Sequence, residues 1–520
     1  MNDDNGPGNP AAEAFKAAAA EHKAGRLEAA VREYRRALAR DPAHLGALNN
    51  LAAALADLGR GAEAADAYAA ALPHHPSVAA IHANLGNLSR QLGEFPDAAG
   101  HYERALALDP AMAEVRYALG VLLRRLGRPD PAREHLARAA AGLPGDARPG
   151  TALALLALDG GDTATAEARI SEALEADAGD ADAWNVLGVT AKATTDLDTA
   201  AQAFDRALAI QPDHAEARTN RGSLRLLGGD WAGGWADYRW RWRGAGRAAP
   251  GAGYGRPLWD GAEVPGGTVL LVGEQGFGDT LQFVRYAPMV KARAARVVLE
   301  CRPELASLLA GAPGVDAIAA PGSAPPDIDA YRPLLDLPGL FGTGPESVPA
   351  AAGYLSAPAP RPLDAAPDAA VGLVWAGSPG HENDRNRSIG LRALAPLLGV
   401  PGVRFFSLQT GPAADQLAAL DGAGRVTDLG RGLGDFADTA ASLAGLDLVI
   451  SVDTATAHLA GAMGRPTWLL VPKVPDWRWG LGGGTTPWYQ SLTLFRQTDA
   501  GDWRGPVAAL AEALRKLAGG

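Results

Sequence analysis

Cysteine and long apolar runs are both scarce in this sequence. Cys301 is the single cysteine among 520 residues, which excludes an intrachain disulfide and a zinc site built on several thiolates. No stretch approaches the roughly 18 consecutive apolar residues of a membrane span. The opening MNDDNGPGNP is acidic and rich in Pro and Gly, unlike a secretory signal. We therefore predict a cytoplasmic protein with no membrane span.

An excess of positive charge is also missing. The formal net charge is −11, whereas nucleic acids are bound through clustered Lys and Arg. We expect no nucleic-acid partner, although a local basic site for a small anionic ligand is compatible with this charge. His381 has no further metal ligands at helical spacing, so no metal is predicted.

From Ala11 onward the sequence repeats with a period of 34 residues. This period is typical of stacked helix-turn-helix units. The residues of a tetratricopeptide repeat (TPR) are clearest in the copy at 181–214, which carries Trp184, Leu187, Gly188, Ala200, Phe204, Ala207 and Pro212. Six copies over residues 11–214 predict an α solenoid, a TPR superhelix, with a concave groove for a peptide or protein. A structural or oligomerisation scaffold is the alternative.

Residues 215–250 keep part of this pattern but are rich in tryptophan. The small residues of the repeat are replaced in GGDWAGGWADYRWRWRG by Trp231, Trp235, Trp240 and Trp242. An end repeat must cover a hydrophobic face. We interpret this region as an atypical terminal repeat that docks the solenoid onto the second half of the chain, and then a linker.

The second half of the chain alternates short apolar runs with helical segments. The predicted strands are TVLLVG, ARVVLE, VGLVWAG, VRFFSLQ, DLVISVD and TWLLVP, and continuous apolar runs are typical of parallel sheets covered on both faces. Helices are predicted at 280–294, 436–446 and 505–518. The alternation predicts two doubly wound domains, 251–360 and 361–520, separated by a cleft and by a Pro-rich stretch from Ser356.

A glycine loop follows the first strand of this half. GEQGFGD places Gly276 and Gly278 before a helix, where backbone amides can meet an anion, or where glycines merely serve packing. The loop matches neither the Walker nor the dinucleotide pattern, although Glu300 resembles the acid that holds an NAD ribose and leaves a dehydrogenase open. Asp279, in the first helical turn, could be a helix N-cap or a base that accepts a proton from a hydroxyl.

A polar turn follows the strand DLVISVD. Asp453 ends the strand, and Thr454, Ala455 and Thr456 begin an Ala-rich helix. Free amides, hydroxyls and the positive end of the helix dipole suit a phosphate or pyrophosphate there, and His458 could add a donor. In the alternative, Asp453 or Thr454 only caps the helix and His458 packs.

Two further segments carry candidate ligand-binding side chains. Arg385 and Arg387 lie in the loop SPGHENDRNRS, where a guanidinium could bind phosphate oxygens or form salt bridges with its neighbours. Trp477, in PDWRWG, could stack on a base or sugar, or could pack in the core.

Three of these segments together resemble a known family. The runs GEQGFGDTLQFVRYAP, GLVWAGSPGHENDRNRSI and DLVISVDTATAHLAGAMGRPTWLLVPKVPDWRW resemble bacterial TPR-fused glycosyltransferases, whose catalytic half is similar to the heptosyltransferases of glycosyltransferase family nine. The resemblance implies a GT-B fold of two Rossmann-like domains, with the last helix crossing back to the first domain. It also implies metal-independent, inverting transfer from a nucleotide-diphosphate sugar, with no cofactor.

The same resemblance assigns roles to individual residues. Asp279 matches the family's base, and Asp453, Thr454 and His458 match the turn that grips the donor diphosphate, with Ala455 where the family has Gly. The donor-binding residues implied or inferred are Gly276, Gly278, Arg385, Arg387, Gln409, Asp453, Thr454, Ala455, Thr456, His458 and Trp477. Either arginine could be the family's basic residue, and Gln409 falls where such enzymes approach the nucleoside.

The acceptor would then be a protein or peptide recruited by the TPR groove. In similar TPR-fused enzymes flagellin is a candidate acceptor. The opposing hypothesis is a non-catalytic TPR adaptor whose sugar-nucleotide-binding half is degenerate.

Overall fold

A computed structural model describes residues 10–244, 248–323, 325, 327–363, 368–381, 383–420 and 426–519. The chain divides into two compact units, Met1–Thr190 and Ala191–Gly520. The acidic opening and parts of the two predicted linkers, residues 245–247 and 364–367, lie outside the described residues. Among the described residues, no helix combines the length and apolar character needed to cross a membrane.

The described part of the first unit consists of paired helices. They are α1 Pro10–Lys23, α2 Leu27–Leu38, α3 Leu45–Asp57, α4 Gly61–Ala71, α5 Ala79–Leu92, α6 Phe95–Leu108, α7 Ala113–Arg125, α8 Pro129–Gly142, α9 Ala147–Gly160 and α10 Thr163–Ala176. Small residues let the two helices of a pair approach closely. A Cβ added to Gly86 of α5, for example, would lie 2.6 Å from the ring of Tyr102 in α6. The helix pairs predicted from the period are therefore confirmed.

Four more helices continue the pattern: α11 Ala181–Ala193, α12 Leu197–Ile210, α13 Ala215–Leu227 and α14 Trp231–Tyr238. In the second unit, the indole of Trp231 stacks on that of Trp488, with ring centroids 5.0 Å apart. Trp235 meets Trp477 edge-on at 5.2 Å. These contacts confirm that tryptophans of the terminal repeat pack against the α/β half. Trp240 instead lies beneath the guanidinium groups of Arg218 and Arg243.

The α/β part of the second unit contains two parallel sheets. The first has the order β3-β2-β1-β4 and the second β10-β9-β8-β5-β6-β7. Their strands are β1 Val264–Val272, β2 Ala294–Glu300, β3 Ala317–Ala319, β4 Ala330–Pro333, β5 Ala369–Val374, β6 Val403–Ser407, β7 Val426–Asp428, β8 Leu448–Val452, β9 Thr467–Val471 and β10 Leu492–Arg496. All six predicted strands are confirmed, whereas β3, β4, β7 and β10 were not predicted.

Short helices connect these strands. They are α15 Phe277–Phe283, α16 Ala287–Lys291, α17 Pro303–Leu309, α18 Leu337–Leu340, α19 Asp384–Arg387, α20 Ala395–Leu398, α21 Phe436–Ala444 and α22 Ala455–Ala462. A longer helix, α23 Arg504–Gly519, follows the last strand. Strands β5 and β8 are parallel neighbours, so their carboxyl ends lie at the same edge of the sheet. The loop with Arg385 and Arg387, which follows β5, and the polar turn, which follows β8, are therefore both at that edge. The predicted helix at 280–294 is interrupted by a 3₁₀ turn, Val284–Tyr286.

The last helix corrects an expectation from the resemblance. Val507, Leu510 and Leu514 of α23 pack in a hydrophobic cluster with β5, β6 and β8 of the second sheet. The implied crossing back to the first domain is therefore wrong for these side chains, since their apolar face is already covered by the second sheet. A different cluster runs without interruption from α13 and α14 through residues of both sheets.

A buried charge network ties the terminal repeat to the glycine loop. The guanidinium of Arg241 donates to both carboxylate oxygens of Glu274, at 2.7 and 3.1 Å, and lies 2.8 Å from Asp336. Only 4% of the Arg241 side chain and none of the Glu274 side chain is exposed. Glu274 also accepts from the backbone N–H of Leu335. This pair fixes the start of the loop that leads to Asp279.

We predict that Arg241→Met destabilises the second unit by about 3–5 kcal/mol, because a buried carboxylate loses its partner. The double variant Arg241→Met/Glu274→Gln should recover most of this loss, since Gln can still accept from Leu335 without a charge. Urea unfolding followed by tryptophan fluorescence measures both, because 11 of the 12 tryptophans follow residue 230. Equal destabilisation of the single and double variants would show that the charge is not the cause.

Candidate functional site

Asp279 occupies the third position of α15 and makes two hydrogen bonds. One carboxylate oxygen accepts from the backbone N–H of Gly276 at 2.8 Å, which is the N-cap residue of α15. The other accepts from the guanidinium of Arg478 at 2.5 Å. Asp279 is thus not the N-cap itself. The amide of Gly276 is already used by Asp279, so its predicted contact with a donor anion is not available in this arrangement.

Arg478, which no sequence pattern singled out, is the most connected side chain near Asp279. Its guanidinium donates to Asp279, to the side-chain oxygen of Gln282 at 2.5 Å and to Asp476 at 2.9 Å. It also lies 4.2 Å from the ring centroid of Trp477. The sequence signal that could have indicated Arg478 is the Asp and Arg two residues apart in PDWRWG. The two tryptophans of the same segment form a stronger pattern and drew the prediction instead. Arg478 therefore links α15 to the segment that follows β9.

The charge of Asp279 is set by opposing effects. Burial raises the pKa of its carboxyl, whereas the positive charge of Arg478 and the Gly276 N–H lower it. The net effect is a pKa above the ordinary value for aspartate. A raised pKa brings a carboxylate closer to the range in which it works as a general base near neutral pH.

The polar turn forms the N-terminus of α22. Thr454 is the N-cap, and its hydroxyl accepts from the N–H of Ala457 at 3.4 Å. Within the described residues, the backbone N–H groups of Ala455 and Thr456 have no hydrogen-bond partner. The predicted helix start is confirmed. Two open amides at the positive end of the helix dipole can bind an anionic oxygen.

His458 and Asp453 lie beside this turn in a buried environment. The imidazole of His458 contacts the hydroxyl of Tyr489 at 2.9 Å, is 3.8 Å from Asp453 and stacks on Trp479. Burial, and then the charge of Arg478, lowers the pKa of His458 to about 3, so it is neutral at pH 7. Burial, and then the charge of Asp476, raises the pKa of Asp453 to about 6. His458 matches the alternative in which it packs.

Helices α15 and α22 meet at a glycine. A Cβ added to Gly278 would lie 2.7 Å from the imidazole of His458, which is closer than carbon atoms can pack. Gly278 therefore serves the close packing of α15 on α22, and its predicted contact with the donor stays a prediction. The contact brings the end of β1, with Asp279, next to the end of β8, with the open amides of α22.

The structure distinguishes the two candidate arginines. Arg387 is 12% exposed and donates weakly to Asp384 at 3.4 Å, and its charge lowers the pKa of both Asp453 and His458. Arg385 is exposed to solvent. Of the two candidates, Arg387 is thus shown to act electrostatically on the polar turn.

Gln409 does not have the freedom that its predicted role requires. Its side-chain oxygen accepts from the backbone N–H groups of Trp375 and Ala376 at 3.0 and 2.9 Å. Its amide donates to the carbonyls of Ala376 and Thr410, both at 3.0 Å. With both acceptor positions and both donors used, Gln409 holds the ends of β5 and β6 together. Its predicted contact with the nucleoside is replaced by this positioning role.

Trp477 is also committed to packing. It is 6% exposed and is surrounded by Trp235, Tyr238, Phe283 and Trp488. The stacking on a base or sugar that we predicted is therefore corrected to a core role. A cavity of about 260 Å³ in the second unit is lined by Thr195, Leu197, Pro472, Lys473, Val474, Leu481, Arg496 and Gln497 rather than by the predicted donor residues. No cluster of metal-binding side chains occurs among residues whose placement is described.

Comparison with known proteins identifies the first half of the chain. The tetratricopeptide repeat family matches residues 15–79, 84–147, 151–215 and 190–239. The amino-terminal half is built from tetratricopeptide repeats. Over 339 residues the chain is 30% identical to the protein FlbA of Caulobacter vibrioides, covering 59% of this chain and 56% of FlbA. The chain thus spans about half the length of the curated relative that it matches.

Solved structures of repeat proteins show weaker likeness. A tetratricopeptide repeat protein from Parabacteroides merdae is 20% identical, with a TM-score of 0.41, and the match covers 45% of this chain and 92% of that one. YrrB, described as a TPR protein with an unusual peptide-binding site, is 26% identical, with a TM-score of 0.31, covering 35% and 95%. Because both TM-scores are below 0.5, these two likenesses are too weak to support a conclusion about this chain.

We predict that His458 makes the chain sensitive to acid. Its pKa is about 3 when folded but about 6.5 when unfolded, so the unfolded chain binds a proton that the folded chain does not. The contribution of His458 to stability is therefore lost as the pH falls below about 6.5, by about 2 kcal/mol at pH 5, while the raised pKa of Asp453 acts in the opposite direction. His458→Gln should remove this part of the pH dependence in urea unfolding at pH 7 and pH 5. Tyr489→Phe, which keeps the imidazole, should retain it, and identical pH dependence in His458→Gln would contradict the assignment.

Proposed function

We propose that the second unit is a glycosyltransferase of the GT-B type that moves a sugar from a nucleotide-diphosphate donor to an acceptor hydroxyl. The observation that carries this proposal is the pair of open amides at Ala455 and Thr456, packed next to Asp279 through the contact of α15 with α22. An anion site beside a partly buried carboxylate is the arrangement that this chemistry needs. The motif resemblance supports the same reaction.

In the proposed reaction Asp279 takes the proton of the acceptor hydroxyl. The hydroxyl oxygen forms a bond to the anomeric carbon of the sugar while the bond from that carbon to the donor diphosphate breaks, which inverts the configuration. Each carboxylate oxygen of Asp279 accepts one hydrogen bond and keeps a lone pair for the proton. The negative charge that grows on the leaving diphosphate would be stabilised by the α22 amides and by Arg387.

The repeats would supply the acceptor. TPR arrays present extended surfaces to peptides and proteins, so we propose a protein acceptor, with flagellin as a candidate from the resemblance. The proposal needs no metal or cofactor, because the helix amides and Arg387 can carry the diphosphate charge. It places the protein in the cytoplasm, where nucleotide sugars are used.

Replacing Ala455 by Pro tests the amide directly. Ala455 is the first residue of α22, a position that tolerates Pro, and Thr454 before it is extended, with ψ at 168°. The variant lacks one open N–H and should bind nucleoside diphosphate about 10- to 100-fold more weakly, because a charge-assisted hydrogen bond contributes about 1.5–3 kcal/mol. Calorimetry with UDP, GDP, ADP, CDP and dTDP provides the measurement.

Ala455→Ser is the matched control because it keeps the backbone N–H, and its affinity should stay close to that of the unchanged chain. The two arginines of α19 give a second matched pair in the same assay. Arg387→Ala should weaken diphosphate binding, whereas Arg385→Ala should have little effect. Equal affinities of the Pro and Ser variants would place the diphosphate elsewhere.

Asp279→Asn separates catalysis from binding. Loss of a general base typically slows a reaction by about 10²- to 10⁴-fold, so release of nucleoside diphosphate from donor sugars should fall by this factor. Binding of the free diphosphate should persist, since Asn can still accept from Gly276. If the unchanged chain binds nucleotide sugars but releases no nucleoside diphosphate from them, the non-catalytic adaptor is the correct description.

A further inference from the structure

Arg478 reaches from the segment after β9 to a carboxylate on α15, and its surroundings hold it in one place. Its guanidinium is fixed by three side-chain acceptors, on Asp279, Gln282 and Asp476. The flat face lies against the ring of Trp477, and only 8% of the side chain is exposed. A long side chain that is anchored at every donor nitrogen and stacked on one face has little rotamer freedom left.

We propose that Arg478 is a positioning residue for the reaction, which holds the Asp279 carboxylate in its working orientation through a direct hydrogen bond. The inference rests on the proposed function of Asp279 as the base. Arg478 bonds to one carboxylate oxygen and the Gly276 N–H bonds to the other. These two bonds from opposite sides fix the plane of the carboxylate.

Burial alone would favour the protonated carboxyl, which cannot act as a base. The positive charge of Arg478 counteracts this effect on Asp279. Asp476 acts in the opposite direction and raises the pKa of Asp279, while His381 lowers it. Tyr238 also faces this group, because the charge of Asp279 raises the pKa of the Tyr238 hydroxyl. Arg478 is the largest of the charges that stabilise the ionised form.

The second carboxylate on Arg478 completes the arrangement. Asp476 accepts from the Arg478 guanidinium and backbone N–H, and the positive charges of Arg478 and Lys192 lower its pKa. Lys192 is the penultimate residue of α11. The order of charges is thus Lys192, Asp476, Arg478 and Asp279, with alternating sign. Asp476 thus holds Arg478 in place through a hydrogen bond, and its negative charge offsets part of the effect of Arg478 on the pKa of Asp279.

This arrangement predicts shifts of opposite sign in two variants. In Arg478→Gln the carboxyl of Asp279 should titrate at a higher pH than in the unchanged chain. In Asp476→Asn it should titrate at a lower pH, because a neighbouring negative charge is removed. Titration of the full chain with ¹³C-labelled aspartate measures both by NMR, and the signal of Asp279 is identified by its loss in Asp279→Asn. A packing role for Arg478 would not produce opposite shifts.

Kinetics provide the second readout. In Arg478→Gln the acid limb of kcat/KM for donor turnover should move to higher pH, and kcat at neutral pH should fall with little change in KM. In Arg478→Lys, which keeps the positive charge, the acid limb of the kcat/KM profile should lie closer to that of the unchanged chain. Arg285→Gln is the matched control, since Arg285 is also buried but donates to the backbone carbonyls of Gln282 and Trp488 and to the Tyr354 hydroxyl, not to Asp279.

An unchanged titration of Asp279 in Arg478→Gln would overturn the inference, whether or not the protein is active. Opposite shifts in the two variants, with the Arg285→Gln control unchanged, would support it. If the unchanged chain showed these shifts in its variants but never released nucleoside diphosphate, the proposed function alone would fail, because the NMR titration requires no donor.

Discussion

The contact between α15 and α22 is the constraint on which the candidate site depends. Both helices begin at the carboxyl ends of parallel strands, one in each sheet, and each of these strand ends carries polar groups. The glycine at position 278 allows the imidazole of His458 to approach the backbone of α15. Without this close approach, Asp279 and the open amides of α22 would belong to separate surfaces. With it, a carboxylate and a helix end with open amides lie next to each other in partly buried surroundings.

Burial of so many charges has a consequence for the whole second unit. Isolated ions are costly in a protein interior, so buried charges occur in pairs and networks. Here one network joins Arg241 to Glu274 at the start of the glycine loop, and another joins Arg478 to Asp279 at its end. Both begin outside the first sheet, one in the segment after α14 and the other after β9. The glycine loop is thus held at both ends by arginines from other elements, which makes it a rigid support for Asp279.

The sequence predicted the parts of the fold that have strong periodic signals. The helix pairs, six of the strands and the start of α22 at Thr454 follow directly from spacing and composition. Short strands such as β3 and β7, with three residues each, were missed because they give too little pattern. Site residues were harder for a different reason. Gln409 and Trp477 lie in the right segments, but whether a side chain faces a ligand or the core depends on long-range packing, which local spacing does not encode.

Arg478 shows why site residues are hard to predict from local spacing, and also which physical argument could have found this one. A carboxylate that is largely removed from water needs a compensating charge, so an arginine or lysine partner could have been expected for Asp279 once it was considered as a base. Arg385 and Arg387 resembled a phosphate-binding pair, and their loop therefore offered the obvious cations in the sequence. Yet those two residues lie after β5, on the side of the polar turn, and Asp279 has a partner of its own. In the reaction that we propose, two anionic groups, the carboxylate and the donor diphosphate, would need two separate cations. Arg478 is the partner of the first, and Arg387 would be the cation for the second.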